Sequence, residues 1–188
     1  MDARFAAYLD LLVKWNAAYN LTAVRDRAEM VPRHIEDSLA ILPYLHGRTV
    51  LDVGTGAGLP GLVLAIADPA RDYTVLDSNG KKARFCEYAV DTLGLRNARV
   101  VQARAENYRP DAPFDTVVSR AFATVAGFVA AAGALCAPDG RLLAMKGARP
   151  DEEIAALPPG WQLQAVHPLT VPGLAAERHL VVVARTPR

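Results

Sequence analysis

Apolar positions in residues 2–19 recur at helical spacing, with Phe5, Leu9, Leu12, Val13 and Tyr19 forming a stripe. The spacing predicts an amphipathic helix. A second helical stretch is predicted over 27–45, with Val31, Ile35, Leu39 and Leu42 as its apolar positions. Pro32 suits a first helical turn, and Pro43 and Gly47 close the stretch. At residue 49 the pattern changes. The run TVLDV is short, apolar and β-branched, and a glycine-rich turn follows it at once. From there strand and helix signals alternate. Strands are predicted at 49–53, 72–77, 98–103, 114–119, 139–146, 161–168 and 178–185, and helices at 59–68, 79–93, 122–135 and 150–157. In the stretch 79–93, Ala83, Cys86, Ala89, Val90 and Leu93 share a face, and Gly94 is placed to cap its end. Such alternation predicts a parallel sheet covered on both faces. No helix separates the last two strands, which predicts an antiparallel hairpin at the sheet edge. The expected organisation is an N-terminal helical extension, 1–48, and a doubly wound, Rossmann-like α/β domain, 49–188.

Composition narrows the class. The chain has 188 residues, of which 52% are hydrophobic and 22% charged, enough apolar material for a real core. The formal net charge is +1, and residues 1–48 hold six basic and six acidic side chains, so neither part is a basic tail. No apolar run approaches the ~18 residues of a membrane span, and the N-terminus lacks the apolar core of a signal peptide. The two cysteines, Cys86 and Cys136, have no metal-ligand spacing and read as inert. The expectation is a cytoplasmic, metal-free, monomeric protein.

The chemistry concentrates in Leu51-Asp52-Val53-Gly54-Thr55-Gly56-Ala57-Gly58-Leu59-Pro60-Gly61. Glycines between a strand and a helix let the backbone turn sharply and approach a ligand. Gly54, Gly56 and Gly58 give G-x-G-x-G, while Gly56, Gly58 and Gly61 give the dinucleotide pattern. Asp52 favours the first. A dinucleotide brings an anionic pyrophosphate to this loop. S-adenosylmethionine brings a sulfonium and an ammonium, which a carboxylate attracts. Asp77 ends the next strand, where a carboxylate accepts ribose hydroxyls with either cofactor.

Ligands of open α/β sheets sit beyond the carboxyl ends of the strands. There the third strand offers Ala105 and Glu106 for an adenine, the fourth Arg120, the fifth Lys146, and the last is preceded by Arg178 and His179. Arg120 reads as a fork for a carboxylate or an RNA phosphate. The fourth strand lacks the Asn/Asp-Pro-Pro-Tyr/Phe clamp used on exocyclic amino groups. No Pro-Cys nucleophile stands at a strand end.

The segments WNAAYNLTAV (15–24), RHIEDSLAILPYL (33–45), LDVGTGAGLPG (51–61), VLDSNGKKARF (75–85), SRAFA (119–123), MKG (145–147) and ERHLVVV (177–183) together resemble the bacterial 16S ribosomal RNA guanine-N7 methyltransferases, the RsmG/GidB family. The N-terminal segment with His34, Asp37 and Ser38, and the Ser-Arg-Ala-Phe segment, are the most specific. The resemblance implies a class I methyltransferase fold, S-adenosylmethionine as donor, and N7 of a guanine in the 530 loop of 16S rRNA as acceptor, on free RNA or the small subunit. It places Gly54, Leu59, Ala105, Glu106 and Arg120 at the cofactor, with Asp77 and Ser78 on the ribose side. Guanine N7 carries no proton, so no general base is needed, and Arg120, Lys146 and Arg178 are expected to steer RNA or shape the pocket. Competing readings are a methyltransferase acting on another RNA, a protein or a small molecule, an NAD-dependent oxidoreductase, and a non-catalytic RNA-binding module.

Overall fold

The computed structural model describes residues 2–187. Helix α1 (Ala3–Tyr19) starts at Asp2, whose carboxylate accepts the Arg4 N–H at 2.8 Å and satisfies one of the first-turn donors. It ends at Asn20 in the left-handed conformation. Phe5, Tyr8, Leu9, Leu12 and Asn16 are buried, whereas Val13 and Tyr19 of the expected stripe are each 38% exposed. Asn16 faces inward because its amide oxygen accepts the Thr22 N–H at 2.9 Å, so the polar group is buried with a partner.

The second stretch is helical where expected, but it is not one α-helix. Helix α2 (Arg27–Met30) passes into a π-helical turn (Val31–Glu36), then α3 (Asp37–Leu39), then a 3-10 turn (Leu42–Tyr44). Pro32 has no N–H to continue the α-helical ladder. The wider turn restores pairing beyond it, as the Asp37 N–H donates to Pro32 O and His34 O.

The sheet has seven strands: β1 (Thr49–Val53), β2 (Asp72–Asp77), β3 (Ala98–Gln102), β4 (Phe114–Ser119), β5 (Cys136–Lys146), β6 (Trp161–Pro168) and β7 (His179–Arg185). Their spatial order is β3-β2-β1-β4-β5-β7-β6. The first five are parallel, and β7 pairs antiparallel with both β5 and β6. The predicted hairpin therefore exists, with β6 at the edge. Strand β5 starts three residues earlier than expected because Cys136 already pairs with Phe114 ahead of a register shift. Helices α4 (Gly61–Ala67), α5 (Gly80–Leu93), α6 (Val125–Ala132) and the short α7 (Asp151–Ala155) complete the layers. Helix α6 starts later than predicted: Thr124 caps it by accepting the Gly127 N–H, leaving 120–124 irregular. The chain moves one way from β1 to β3 and the other way through β4, so the topological switch point lies beyond the carboxyl ends of β1 and β4.

One apolar core joins Phe5, Tyr8 and Leu12 of α1 to Leu62 of α4 and Phe85 of α5; the other gathers Phe114, Phe128 and Leu135. The extension thus shares a core with the sheet. Tyr8 is fully buried, and its hydroxyl donates to Ala57 O at 2.6 Å, behind the glycine loop. Tyr8→Phe leaves that carbonyl unpaired and is expected to cost about 1–3 kcal/mol of unfolding free energy, measured with urea. A loss below about 0.5 kcal/mol would show that another donor takes over.

Candidate active site

The loop between β1 and α4 is pinned from several sides. Gly54 N–H and Thr55 N–H both donate to Leu76 O of β2, at 2.8 and 3.0 Å. Gly56 N–H donates to the Asp77 carboxylate at 2.9 Å, and Asn79 N–H takes the other Asp77 oxygen at 2.8 Å. The buried Cys86 thiol donates to Gly56 O at 3.5 Å. Burial pushes that thiol far up, and lifts Cys136 to about 12, so both stay protonated and unreactive.

A cavity of about 220 Å3 opens beside this loop. Gly54, Asp77, Ser78, Ala105, Glu106 and Phe122 line it. Gly56, whose N–H holds the lining residue Asp77, has φ +60°, and a Cβ built there would meet nothing within 4 Å. Two of the expected cofactor residues face inward instead. Leu59 is 2% exposed and belongs to the core, and a Cβ on Gly58 would strike Leu62. They shape the loop from beneath.

Asp52 also lies beneath the loop, 1% exposed. Its Oδ2 accepts Thr55 Oγ1–H at 2.6 Å and Gly61 N–H at 2.8 Å, while Oδ1 is buried without a partner. Burial raises its pKa to about 6, against the two hydrogen bonds and the nearby positive charge of Arg120. Its contribution to folding is therefore full below the model-peptide value of 3.8 and is lost as pH rises through about 6. A cationic ligand above the loop has the opposite linkage, since it favours the ionised form. With Asp52 half-ionised near pH 6, affinity for a sulfonium donor is expected to fall about tenfold between pH 8 and pH 5. Asp52→Asn should flatten that dependence. Calorimetric titration across this range checks it, and an equal slope in the variant would locate the effect elsewhere.

A second cavity, about 280 Å3, lies next to the loop after β4. Arg33, Asp37, Arg120, Lys146 and Arg178 line it. The structure thus brings the three predicted strand-end cations together. Asp37 joins two of them: its Oδ2 accepts from Arg120 Nη1 at 3.2 Å and its Oδ1 from Arg178 Nε at 2.9 Å. Lys146 is not a solvated rim lysine. Its ammonium lies 2.8 Å from the Glu153 carboxylate and donates to Phe122 O and Ala123 O, with 11% of the side chain exposed. It tethers the irregular 120–124 segment. His179 holds Gly147 O through Nδ1 at 2.8 Å, bracing the same rim. His34 is buried and held neutral, with a pKa of about 4, chiefly by burial; its Nε2 meets Thr22 Oγ1 at 2.9 Å. Asp37 and Glu153 were not among the residues expected to act here. Among the described residues no three His, Cys, Asp or Glu side chains gather to hold a metal ion, and no helix is long and apolar enough to cross a membrane.

The donor-side residues fit a ligand with an ammonium and a ribose. An unpartnered buried carboxylate oxygen lies below the loop, open space surrounds Gly56, and Asp77 retains lone pairs after its two N–H bonds. A pyrophosphate over Asp52 would meet repulsion, which disfavours the dinucleotide reading. The sheet order with its inserted β7 and the loop chemistry agree on one class, and the protein is an S-adenosylmethionine-dependent methyltransferase. Solved structures share the fold. The glycopeptide N-methyltransferase MtfA, complexed with S-adenosyl-L-homocysteine, superposes with a TM-score of 0.68 at 12% identity, over 82% of this chain and 87% of that one. TrmN from Thermus thermophilus gives 0.63 at 24% identity, over 82% of this chain and 49% of that one.

The chain belongs to the GidB family, described as rRNA small subunit methyltransferase G, whose profile matches residues 1–181. A relative named ribosomal RNA small subunit methyltransferase G in Xanthomonas campestris is 57% identical over 97% of this chain and 88% of its own length. One of the same name in Marinobacter nauticus is 55% identical over 97% of this chain and 85% of its own.

Proposed function

We propose that this protein transfers a methyl group from S-adenosylmethionine to N7 of a guanine in the 530 loop of 16S rRNA, acting in the cytoplasm as a monomer. The match of residues 1–181 to the rRNA methyltransferase G family carries the reading. The arginine-lined cavity next to the loop after β4 supports it, because a polyanionic acceptor calls for cations that reach it.

Gly54, Gly56, Asp77, Ser78, Ala105 and Glu106 hold the donor, with Asp52, Gly58 and Leu59 setting the loop from below. When bound, the donor supplies a methyl group on a cationic sulfur that leaves as a neutral thioether. The protein's own task is to place the guanine so that N7 lines up with that methyl group. Positioning of this kind supplies large accelerations without acid–base chemistry. As the carbon–sulfur bond breaks and the carbon–N7 bond forms, one positive charge passes to the guanine ring. N7 has no proton to lose, which suits a cavity whose Asp37 is engaged with Arg120 and Arg178 and whose Lys146 is engaged with Glu153, leaving no free base among the described residues that line it. Arg120 and Arg178 orient the acceptor, and Lys146 acts through the 120–124 segment.

The test is transfer of labelled methyl from S-adenosylmethionine to small-subunit rRNA prepared from cells lacking this gene, followed by mapping of the modified nucleotide. Label on guanine N7 in the 530 loop is the expected result. Label on another base, or none on free rRNA and on isolated subunits alike, would move the acceptor elsewhere.

A further inference from the structure

The N-terminal extension reaches the acceptor cavity through Arg33 and Asp37, and Asp37 is the one whose carboxylate meets the cations there. Asp37 is 3% exposed, yet its carboxylate makes no hydrogen bond within the N-terminal extension among the described residues. Its two oxygens are spent on guanidinium groups 83 and 141 residues away along the chain, Arg120 after β4 and Arg178 before β7. The backbone holds it there firmly. The π-helical turn ends with the Asp37 N–H donating to Pro32 O and His34 O, and the neighbouring Ser38 hydroxyl donates to His34 O at 2.6 Å. One wide turn therefore aims the buried His34 at Thr22 and the Asp37 carboxylate at the far end of β4. Such turns recur at functional sites.

The guanidinium groups are only partly consumed. Arg120 uses Nη1 on Asp37 and Arg33 O; Arg178 uses Nε on Asp37 and Nη1 on Glu177 O. Nε and Nη2 of Arg120 and Nη2 of Arg178 find no protein acceptor among the described residues, and both side chains line the cavity. Without the carboxylate, two cations would repel one another and spread toward solvent. With it, their spacing is set by one rigid acceptor, and one of their two charges is cancelled. That cancellation bears on the reaction. Methyl transfer delivers a positive charge to the guanine ring, and uncompensated guanidinium groups beside the ring would oppose it.

We infer that Asp37 is a positioning residue for rRNA methylation: bridging Arg120 and Arg178 from the N-terminal extension, it fixes the free edges of both guanidinium groups in the acceptor cavity. The inference rests on the reading that this cavity receives the RNA. Its signature is a split between kinetic constants. Asp37→Asn keeps the shape and removes the charge. It is expected to lower kcat at least about tenfold, because transition-state charge is affected. The rRNA KM should stay level or fall, because the site becomes more cationic toward a polyanion. S-adenosylmethionine affinity, measured calorimetrically, should stay within about threefold of the unmodified protein, since neither Asp37 oxygen touches the donor side.

The experiment is single-site kinetics on small-subunit rRNA with the unmodified protein, Asp37→Asn, Arg178→Ala and the double variant. A positioning role makes the two substitutions overlap, so Asp37→Asn costs clearly less in the Arg178→Ala background than alone. Three outcomes overturn the inference: a kcat within twofold of the unmodified protein, a loss confined to rRNA KM or donor affinity, or full multiplication of the two effects. If Asp37→Asn does not fold, Asp37→Glu replaces it. Moving the carboxylate outward by one methylene should lower kcat while leaving the unfolding midpoint near its original value, and an unchanged kcat would equally overturn the inference. An unmodified protein inactive on rRNA would overturn the proposed function instead, so the two failures are separable.

Discussion

Gly54→Val is expected to abolish donor binding. Gly54 has φ +70°, and its N–H is committed to Leu76 O at 2.8 Å, so the loop cannot relax that angle without releasing β2. An L-residue in the left-handed region costs about 1–2 kcal/mol, and a β-branched side chain adds to that. The larger effect is steric. A Cβ at this position lies 2.7 Å from the Cβ of Ala121, which sits between Arg120 and the cavity-lining Phe122. The segment after β4 has to retreat, which opens the cavity proposed for the donor and displaces Arg120 together. Calorimetry with S-adenosylmethionine should show at least about a 100-fold weaker dissociation constant, equivalent to two steps of 1.4 kcal/mol. A dissociation constant within tenfold of the unmodified protein would mean that the cavity beside Gly54 is not the donor site.

Arg120→Ala is expected to lower kcat/KM on small-subunit rRNA by about 100-fold or more, the scale of removing a hydrogen-bonding cation from a site where charge moves in the transition state. Arg120 serves two sides at once. It donates to Asp37 at 3.2 Å, and its charge is close enough to Asp52 to favour the ionised carboxylate. Its loss leaves Asp37 with Arg178 alone and makes Asp52 harder to ionise. Donor affinity should therefore weaken as well, most of all below pH 7. Arg120→Lys is expected to recover little, because a compact ammonium cannot bridge Asp37 while presenting a second edge to the cavity. Activity of Arg120→Ala within threefold of the unmodified protein would remove Arg120 from the site.

Most elements were legible because their signals are local. The short apolar, β-branched run of 49–53 and the one-sided apolar spacing of 79–93 lie within single elements, and Gly94 caps α5 at φ +62° as its position suggests. The boundaries that moved depend on distant partners. Strand β5 extends back to Cys136 because Phe114 is there to pair with it. Residues 122–124 stay out of α6 because Lys146 holds the Phe122 and Ala123 carbonyls. In α1 the inward turn of Asn16 depends on Thr22, so apolar spacing alone misplaced Val13 and Tyr19. The same division runs through the site. The glycine loop and Asp77 form one continuous strand–turn–helix pattern, and the chain announces them. Asp37 stood within the recognised N-terminal segment, yet its partners are 83 and 141 residues away, and only folding reveals them. Lys146 was legible by position but not by role, since nothing in the predicted helix over 150–157 marks Glu153 as its partner.

The place of β7 in the sheet sets an order on how the molecule can be made. Among the described strands β6 pairs with β7 alone, and β7 comes later in the chain while sitting between β6 and β5. During synthesis the growing protein therefore carries two open strand edges, β5 and β6, until residues 179–185 emerge. Unpaired edges invite association with other chains. Arg178 arrives with that same final strand, so the cation cluster forms only when the sheet closes. A nascent chain arrested before β7 would present the glycine loop and an incomplete cation cluster, so that on the proposed roles catalytic competence would coincide with the last step of assembly.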